Sequence, residues 1–337
     1  MELQRSDPSE PGFGRRKCGR GFLYLGLDGR PLDDATVKER IRALVIPPAW
    51  QDVWICPDAD GHIQAMGTDA AGRRQYLYHE AWREQRDRAK HDHVLELAER
   101  LPKVRDAIAG HLAGRGYGRE RVLSAAVRLI DLGFFRIGGE EYAAENGTFG
   151  LATVLREHVT CRRGHVTFDY PAKGSKDRYQ SVAEENVCKV VVGLMRRKDD
   201  SPELLAYRTP AGWHDVTASD INEFIREVTG GDFTAKDFRT WHATVLAAVG
   251  LAVSTRAGTA ETARQKAVVR VVKEVAAYLG NTPAVARASY IDPRIITLYE
   301  EGRTIAPALS NLGVDASPGE LATQGPAEQA VLNLLRT

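Results

Sequence analysis

The spacing of apolar residues changes character near Tyr78. Before it, the chain is cut into short pieces by Gly29-Arg30-Pro31, Ile46-Pro47-Pro48 and Asp58-Ala59-Asp60-Gly61, since Gly and Pro end regular elements. Val53–Cys56 and Gly61–Met66 flank the third break and predict two strands. Residues 1–20 hold Pro8, Pro11, Gly12, Gly14 and Gly19 with little apolar matter, which predicts a flexible arm. Beyond Tyr78 the period becomes helical. Val94, Leu97, Ala98 and Leu101 lie on one face of a helix within His79–Gly110, and Val122, Ala126, Leu129 and Ile130 outline a second. Ile221, Phe224, Ile225 and Val228 outline a third, capped by Ser219 and stopped by Gly230-Gly231. Val268, Val271, Val272, Val275 and Leu279 outline a fourth, closed by Gly280 and Pro283. Val166, Phe168 and Tyr170 instead alternate as in a strand, with Lys173–Asp177 as a hairpin tip. The pattern therefore predicts an α+β protein. A flexible arm (1–20) precedes a small β-rich N-terminal domain (21–90) and a mainly α-helical domain with a small sheet (91–337), whose Ala/Pro/Gly-rich tail starts at about 305.

A length of 337 residues suits two domains, and 43% hydrophobic with 27% charged residues suits a packed core. Charge adds little: 46 basic against 45 acidic residues give a net +1, so any binding to phosphates requires the charge to be segregated. Two stretches are so enriched. Arg73, Arg74, Arg83, Arg86, Arg88 and Lys90 form the first, interleaved with Glu80, Glu84 and Asp87. Arg156, Arg162, Arg163, Lys173, Lys176 and Arg178 form the second. Cys18, Cys56, Cys161 and Cys188 contain no CxxC pair, which predicts separate reduced thiols and no zinc site. No apolar run approaches the ~20 residues of a membrane span, and the N-terminus lacks a secretory pattern. A cytoplasmic, nucleoid-associated protein is expected.

Candidate chemistry starts at Phe238-Arg239-Thr240-Trp241-His242-Ala243-Thr244, ahead of the apolar run Val245–Val253. Arg239 at the head of a buried helix has two readings: a structural arginine that satisfies carbonyls and an acid, or an anion clamp. Alone, the segment does not choose between them. It resembles the Phe-Arg-Thr-aromatic-X-Ala-Ser/Thr motif of type IB DNA topoisomerases, and a related motif of tyrosine recombinases. Phe135-Arg136-Ile137-Gly138-Gly139-Glu140-Glu141-Tyr142 resembles the family's Arg-Val/Ile-Gly-X-X-X-Tyr segment, followed by Thr148-Phe149-Gly150-Leu151. Phe168–Gly174 is similar to the strand and turn that present the family's lysine, and Ser289-Tyr290-Ile291-Asp292-Pro293-Arg294 to its nucleophile segment. The likeness runs from about Gly21 to Arg303 with the motifs in order. Two positions depart from it. Asn281 stands nine residues before Tyr290, where poxviral members have His, and Ala172 precedes Lys173, where Gly is usual.

The resemblance implies roles. Tyr290 is the nucleophile; Arg136, Arg239 and Asn281 hold the phosphate oxygens; Lys173 is the general acid, with Lys176 as its neighbouring rival. Gln75-Tyr76-Leu77-Tyr78 resembles a Gln-Tyr-X-Tyr segment with which poxviral enzymes touch DNA, so Gln75, Tyr76, Tyr78, Arg73, Arg74, Tyr142 and Lys176 are candidate DNA contacts. The implied activity is ATP-independent relaxation of supercoiled duplex DNA with no cofactor and no metal, by a monomer that clamps the duplex through both basic stretches. Two other readings stand beside it. A tyrosine recombinase would carry His three residues before the second arginine, where this chain has Lys236, and a helical rather than β-rich N-terminal region. A non-catalytic DNA-binding protein could retain the fold, but would not need the whole set Arg136, Lys173, Arg239 and Tyr290.

Overall fold

A computed structural model describes residues 3–133, 135–139, 143, 145, 147–172, 176–254, 260–311, 321 and 323–336. The chain divides into two compact units, residues 1–92 and 93–337, each with its own apolar core.

The first unit is one antiparallel sheet in the order β2-β1-β3-β4-β5, formed by β1 (Phe13–Cys18), β2 (Gly21–Leu25), β3 (Gln51–Ile55), β4 (Ile63–Thr68) and β5 (Arg74–Tyr78). Helix α1 (Ala35–Ala43) starts at Asp34, whose carboxylate accepts the Val37 amide at 3.0 Å. Its Ile41 packs with Ile46, Val53, Ile55 and Ala65. Strand β1 lies inside the segment read from sequence as an arm. Arg15 holds it there: the guanidinium donates to the carbonyls of Ile46, Pro47 and Trp50, each at 2.9 Å, and stands 4.1 Å over the Phe22 ring.

The division between the units falls within α2 (Glu80–Leu112). The second unit continues with α3 (Arg119–Gly133) and a three-stranded antiparallel sheet, β6 (Val159–Arg162), β7 (His165–Ala172) and β8 (Lys176–Ala183). Then come α4 (Glu185–Met195), a hairpin of β9 (Ala206–Thr209) and β10 (Gly212–Asp215), α5 (Ala218–Thr229) and α6 (Ala235–Ser254). The last helices are α7 (Glu261–Leu279), α8 (Pro283–Ser289), α9 (Pro293–Glu300) and α10 (Pro326–Arg336). This is the α+β class expected, a small sheet followed by a helix-rich unit. Thr217, rather than Ser219, caps α5: its hydroxyl accepts the Asp220 amide at 3.1 Å and Asp220 answers on the Thr217 amide at 2.8 Å. Gly230 and Gly280 end α5 and α7 at φ 63° and 65°, a left-handed turn that costs glycine nothing. Among the described residues no helix is long and apolar enough to cross a membrane.

Helix α6 is buried along most of its length, with Phe238, Trp241 and Val245 in the core. A buried ionic cluster ties it to α3 and α10. Arg105 makes a two-point contact with Asp131, at 2.9 Å for both bonds, and reaches Glu328 at 2.6 Å. Glu328 also accepts the Trp241 indole at 2.9 Å, and His242 lies 3.3 Å from Asp131. Burial alone would raise the Asp131 pKa, yet Arg105 and His242 hold it far below the ordinary carboxylate range. The thiols also depart from expectation. Cys161 on β6 and Cys188 on α4 form a disulfide, with Cα atoms 6.0 Å apart. Their separation of 27 residues hides that β6 and α4 are neighbours.

Candidate active site

Four of the residues singled out from sequence come together where α6, α7 and α8 meet the segment after α3. Arg239 sits in the second turn of α6, whose start is fixed by Asp237 accepting the Thr234 amide and hydroxyl at 2.8 Å. Tyr290 stands at the C-terminal end of α8, which Pro283 opens and Thr282 caps. Thr244, one turn beyond Arg239, clasps the nucleophile segment: its hydroxyl lies 3.3 Å from the Tyr290 carbonyl and accepts the Asp292 amide at 3.1 Å. The last residue of the Phe-Arg-Thr segment thus sets the distance between the arginine and the tyrosine. Asp292 then caps α9 through the Arg294 amide at 2.9 Å.

Arg136 is placed by a close crossing of two backbone segments. The Leu151 amide donates to the Arg136 carbonyl at 2.9 Å and the Ala152 amide to the Ile137 carbonyl at 2.7 Å. At the crossing stand Gly138 (φ 84°) and Gly150; a Cβ on Gly150 would lie 2.4 Å from the Gly138 Cα and 2.9 Å from the Arg136 carbonyl oxygen. Gly150→Ala is therefore expected to cost about 2 kcal/mol of stability and, by displacing Arg136, to weaken anion binding at the site about 10²-fold. Melting and a binding titration measure the two effects. Gly139→Ala is the control, because a Cβ there meets no described atom within 4 Å.

Three arginines are anchored on consecutive carbonyls at the end of α7. Arg178 donates to Tyr278 at 2.6 Å, Arg239 to Leu279 at 3.0 Å and Arg136 to Gly280 at 2.9 Å. The C-terminal end of a helix carries partial negative charge that suits cations. A carbonyl orients a guanidinium without cancelling its charge, as a carboxylate would. Arg136 also donates to Asn281 Oδ1, and this orients the amide so that Nδ2 is buried with no partner among the described residues. Arg136, Asn281, Arg178, Asp177 and Tyr170 are among the residues lining a cavity of about 180 Å³.

The Arg239 guanidinium carbon lies 5.3 Å from the Tyr290 ring centroid, and the arginine hydrogen-bonds the tyrosine side chain. Burial alone would raise the Tyr290 phenol, but the charge and hydrogen bond of Arg239, with the charges of Arg136 and Lys236, bring it below its ordinary value. Tyr170 behaves oppositely: burial pushes its phenol up despite Arg178, Arg239 and Arg136. Arg239 itself is pulled down to about 10 by burial. The group can hold an anion with several oriented donors and ease deprotonation of a phenol beside it. Among the described residues no set of three or more His, Cys, Asp or Glu side chains is placed to bind a metal.

Lys173 and Tyr142 lie outside the described residues, as does the side chain of Lys176, whose backbone pairs with Ala172. In the first unit, alternation along β5 sets Arg74, Tyr76 and Tyr78 on one face and Gln75 and Leu77 on the other. Tyr76 and Tyr78 stack with centroids 6.0 Å apart. Gln75 is tied to Asp69 at 2.9 Å, and the same carboxylate holds Arg73 at 2.9 Å. In the sequence Arg178 belongs only to a basic stretch, and nothing there brings it to the site. Lys236 stands out there only as the residue in place of a recombinase histidine.

Comparison with known proteins covers nearly the whole chain. Residues 79–302 match the family model for the catalytic core of eukaryotic DNA topoisomerase I, and residues 21–69 match the one for the N-terminal domain of bacterial DNA topoisomerase IB. A DNA topoisomerase 1B of Acanthamoeba polyphaga mimivirus is 30% identical over 298 residues, 86% of this chain and 88% of its own. DNA topoisomerase I of monkeypox virus and DNA topoisomerase 1B of vaccinia virus (strain Copenhagen) are each 20% identical over 291 residues, 85% of this chain and 89% of theirs.

Proposed function

The chain belongs to the type IB DNA topoisomerase family, and from that premise we propose that it relaxes positive and negative supercoils in duplex DNA by cutting one strand with Tyr290 and resealing it. The Tyr290 oxygen attacks the scissile phosphorus, the bond from phosphorus to the 5′-oxygen breaks, and a 3′-phosphotyrosyl ester forms. Arg136, Arg239 and the Asn281 amide hold the charge that builds on the non-bridging oxygens. Lys173 protonates the departing 5′-oxygen, which leaves as the 5′-hydroxyl. The free end rotates, and the same hydroxyl attacks the ester to restore the strand. One ester is exchanged for another of similar energy, so neither ATP nor a metal is required and the supercoil itself drives relaxation. The observation that carries this reading is Tyr290 held against Arg239, with Arg136 and Asn281 anchored at the same helix end. One chain supplies every group named, so a monomer suffices at the site.

The test is relaxation of negatively and positively supercoiled plasmid in EDTA without ATP. Complete relaxation of both is expected. No relaxation, with a nicked suicide duplex still trapped on Tyr290, would point to a recombinase; neither signal would leave a DNA-binding protein.

A further inference from the structure

Arg178 shares the anchoring of the two arginines assigned above and has no role yet. Like Arg239 and Arg136 it is fixed to a carbonyl at the end of α7, and like Arg136 it lines the 180 Å³ cavity. Among the described residues its other hydrogen-bond partner is the neutral side chain of Gln180, at 3.3 Å. Among the described residues no carboxylate pairs with it, although Asp177 lines the same cavity. Burial pulls its pKa down, and the like charge of Arg136 adds to this against the opposing pull of Tyr170. A partly buried cation without a counter-ion is costly unless an anion is bound beside it.

Position says which anion. The described lining of the cavity includes Arg136 and Asn281 but neither Tyr290 nor Arg239. Beyond Arg178 an open groove of about 500 Å³ continues, lined by Arg178, Tyr179, Gln180, Ser181 and Tyr278. Arg178 and Ala277 belong to both spaces. Tyr179 and Tyr278 are 73% and 58% exposed, so two aromatic side chains border the groove. Arg178 therefore stands where the cavity and the groove meet, whereas Arg239, against the Tyr290 ring, is in the described lining of neither. A DNA strand presents a phosphate at every nucleotide, about 3.4 Å apart along the helix axis.

We infer that Arg178 grips the phosphate adjacent to the scissile one on the cleaved strand, at the point where that strand enters the groove between Tyr179 and Tyr278. The inference rests on the strand-cleavage reading, which supplies the scissile phosphate. Arg178 is then a substrate-binding residue that holds the reacting phosphate in register without touching it, and the groove is the path of the flanking nucleotides.

The experiment uses full-length protein and suicide duplexes that carry a neutral methylphosphonate at the scissile position, at either neighbouring phosphate, or at a remote one. Arg178→Ala is expected to slow cleavage of the unmodified duplex about 10–100-fold, and to weaken binding measured by fluorescence anisotropy in a Tyr290→Phe background. With a methylphosphonate at one neighbouring phosphate, wild type slows and the variant slows no further, so the two rates converge. Arg178→Lys, which keeps a cation able to reach the Tyr278 carbonyl, should lose less and converge at the same position; it serves if the alanine protein melts early. A penalty that persists undiminished at both neighbouring positions overturns the inference, as does convergence only at the scissile position. Wild-type adduct formation reports separately on the cleavage reading, while the anisotropy comparison of neighbouring and remote methylphosphonates tests the Arg178 contact even where no adduct forms.

Discussion

Tyr290→Phe protein is expected to bind supercoiled plasmid with nearly wild-type affinity while forming no covalent adduct, its relaxation rate falling at least about 10⁴-fold. The substitution removes one hydroxyl and little else. The ring keeps its packing against the core, and Arg239 keeps its bond to the Leu279 carbonyl. Loss of the hydrogen bond from Arg239 costs stability by about 1–2 kcal/mol, which melting will show. Tyr170 lies among the same arginines, but burial drives its phenol up where that of Tyr290 is brought down. Gel-resolved adducts on a nicked duplex, scored beside a plasmid relaxation series, decide the matter. Adduct retained by the Phe protein would remove Tyr290 from the mechanism.

Arg239→Gln should lower the cleavage rate about 10³-fold, near 4 kcal/mol of transition-state stabilisation. Arg239→Lys should recover only part of it, since an ammonium cannot hold the Leu279 carbonyl and a phosphate with the planar fork of a guanidinium. The pH dependence carries a second signature. In wild type the phenol lies below its ordinary value, so the rate should rise with pH with its midpoint below that of a free phenol. Removing Arg239 leaves burial as the dominant influence and takes away the largest opposing one. The apparent pKa of cleavage must then move upward. An unchanged profile with a reduced plateau would mean that Arg239 holds phosphate without tuning the nucleophile.

What could be read from the sequence followed from what each signal depends on. The helices of the second unit announce themselves because their buried faces repeat every turn, as in Val268, Val271, Val272 and Val275. Strand β1 does not, because its stability comes from the stem and guanidinium of Arg15 rather than from an apolar alternation. At the site, Arg136, Arg239, Asn281 and Tyr290 stand in recognisable local contexts. Arg178 does not, since nothing nearby distinguishes it from Arg162 or Arg163; only the fold carries it to the end of α7. The carbonyl anchors were equally hidden, because a backbone oxygen has no residue identity. The Cys161–Cys188 pair and the buried Asp131 and Glu328 depend on tertiary neighbours, and acidic side chains ordinarily read as surface.

The Arg105–Asp131–Glu328 cluster has a consequence for biogenesis. Arg105 meets Glu328 across 223 residues, and Trp241 meets it across 87. On a translating ribosome Arg105, Asp131 and Trp241 all emerge long before the carboxylate that completes their pairing. Until Glu328 arrives, closing the core around α6 would bury an indole N–H without its acceptor and leave Arg105 short of one of its two acids. The helix that carries Arg239 therefore cannot reach its final packing during synthesis of the segment that encodes it. Packing around Arg239 thereby waits on a helix that lies beyond Tyr290 in the chain.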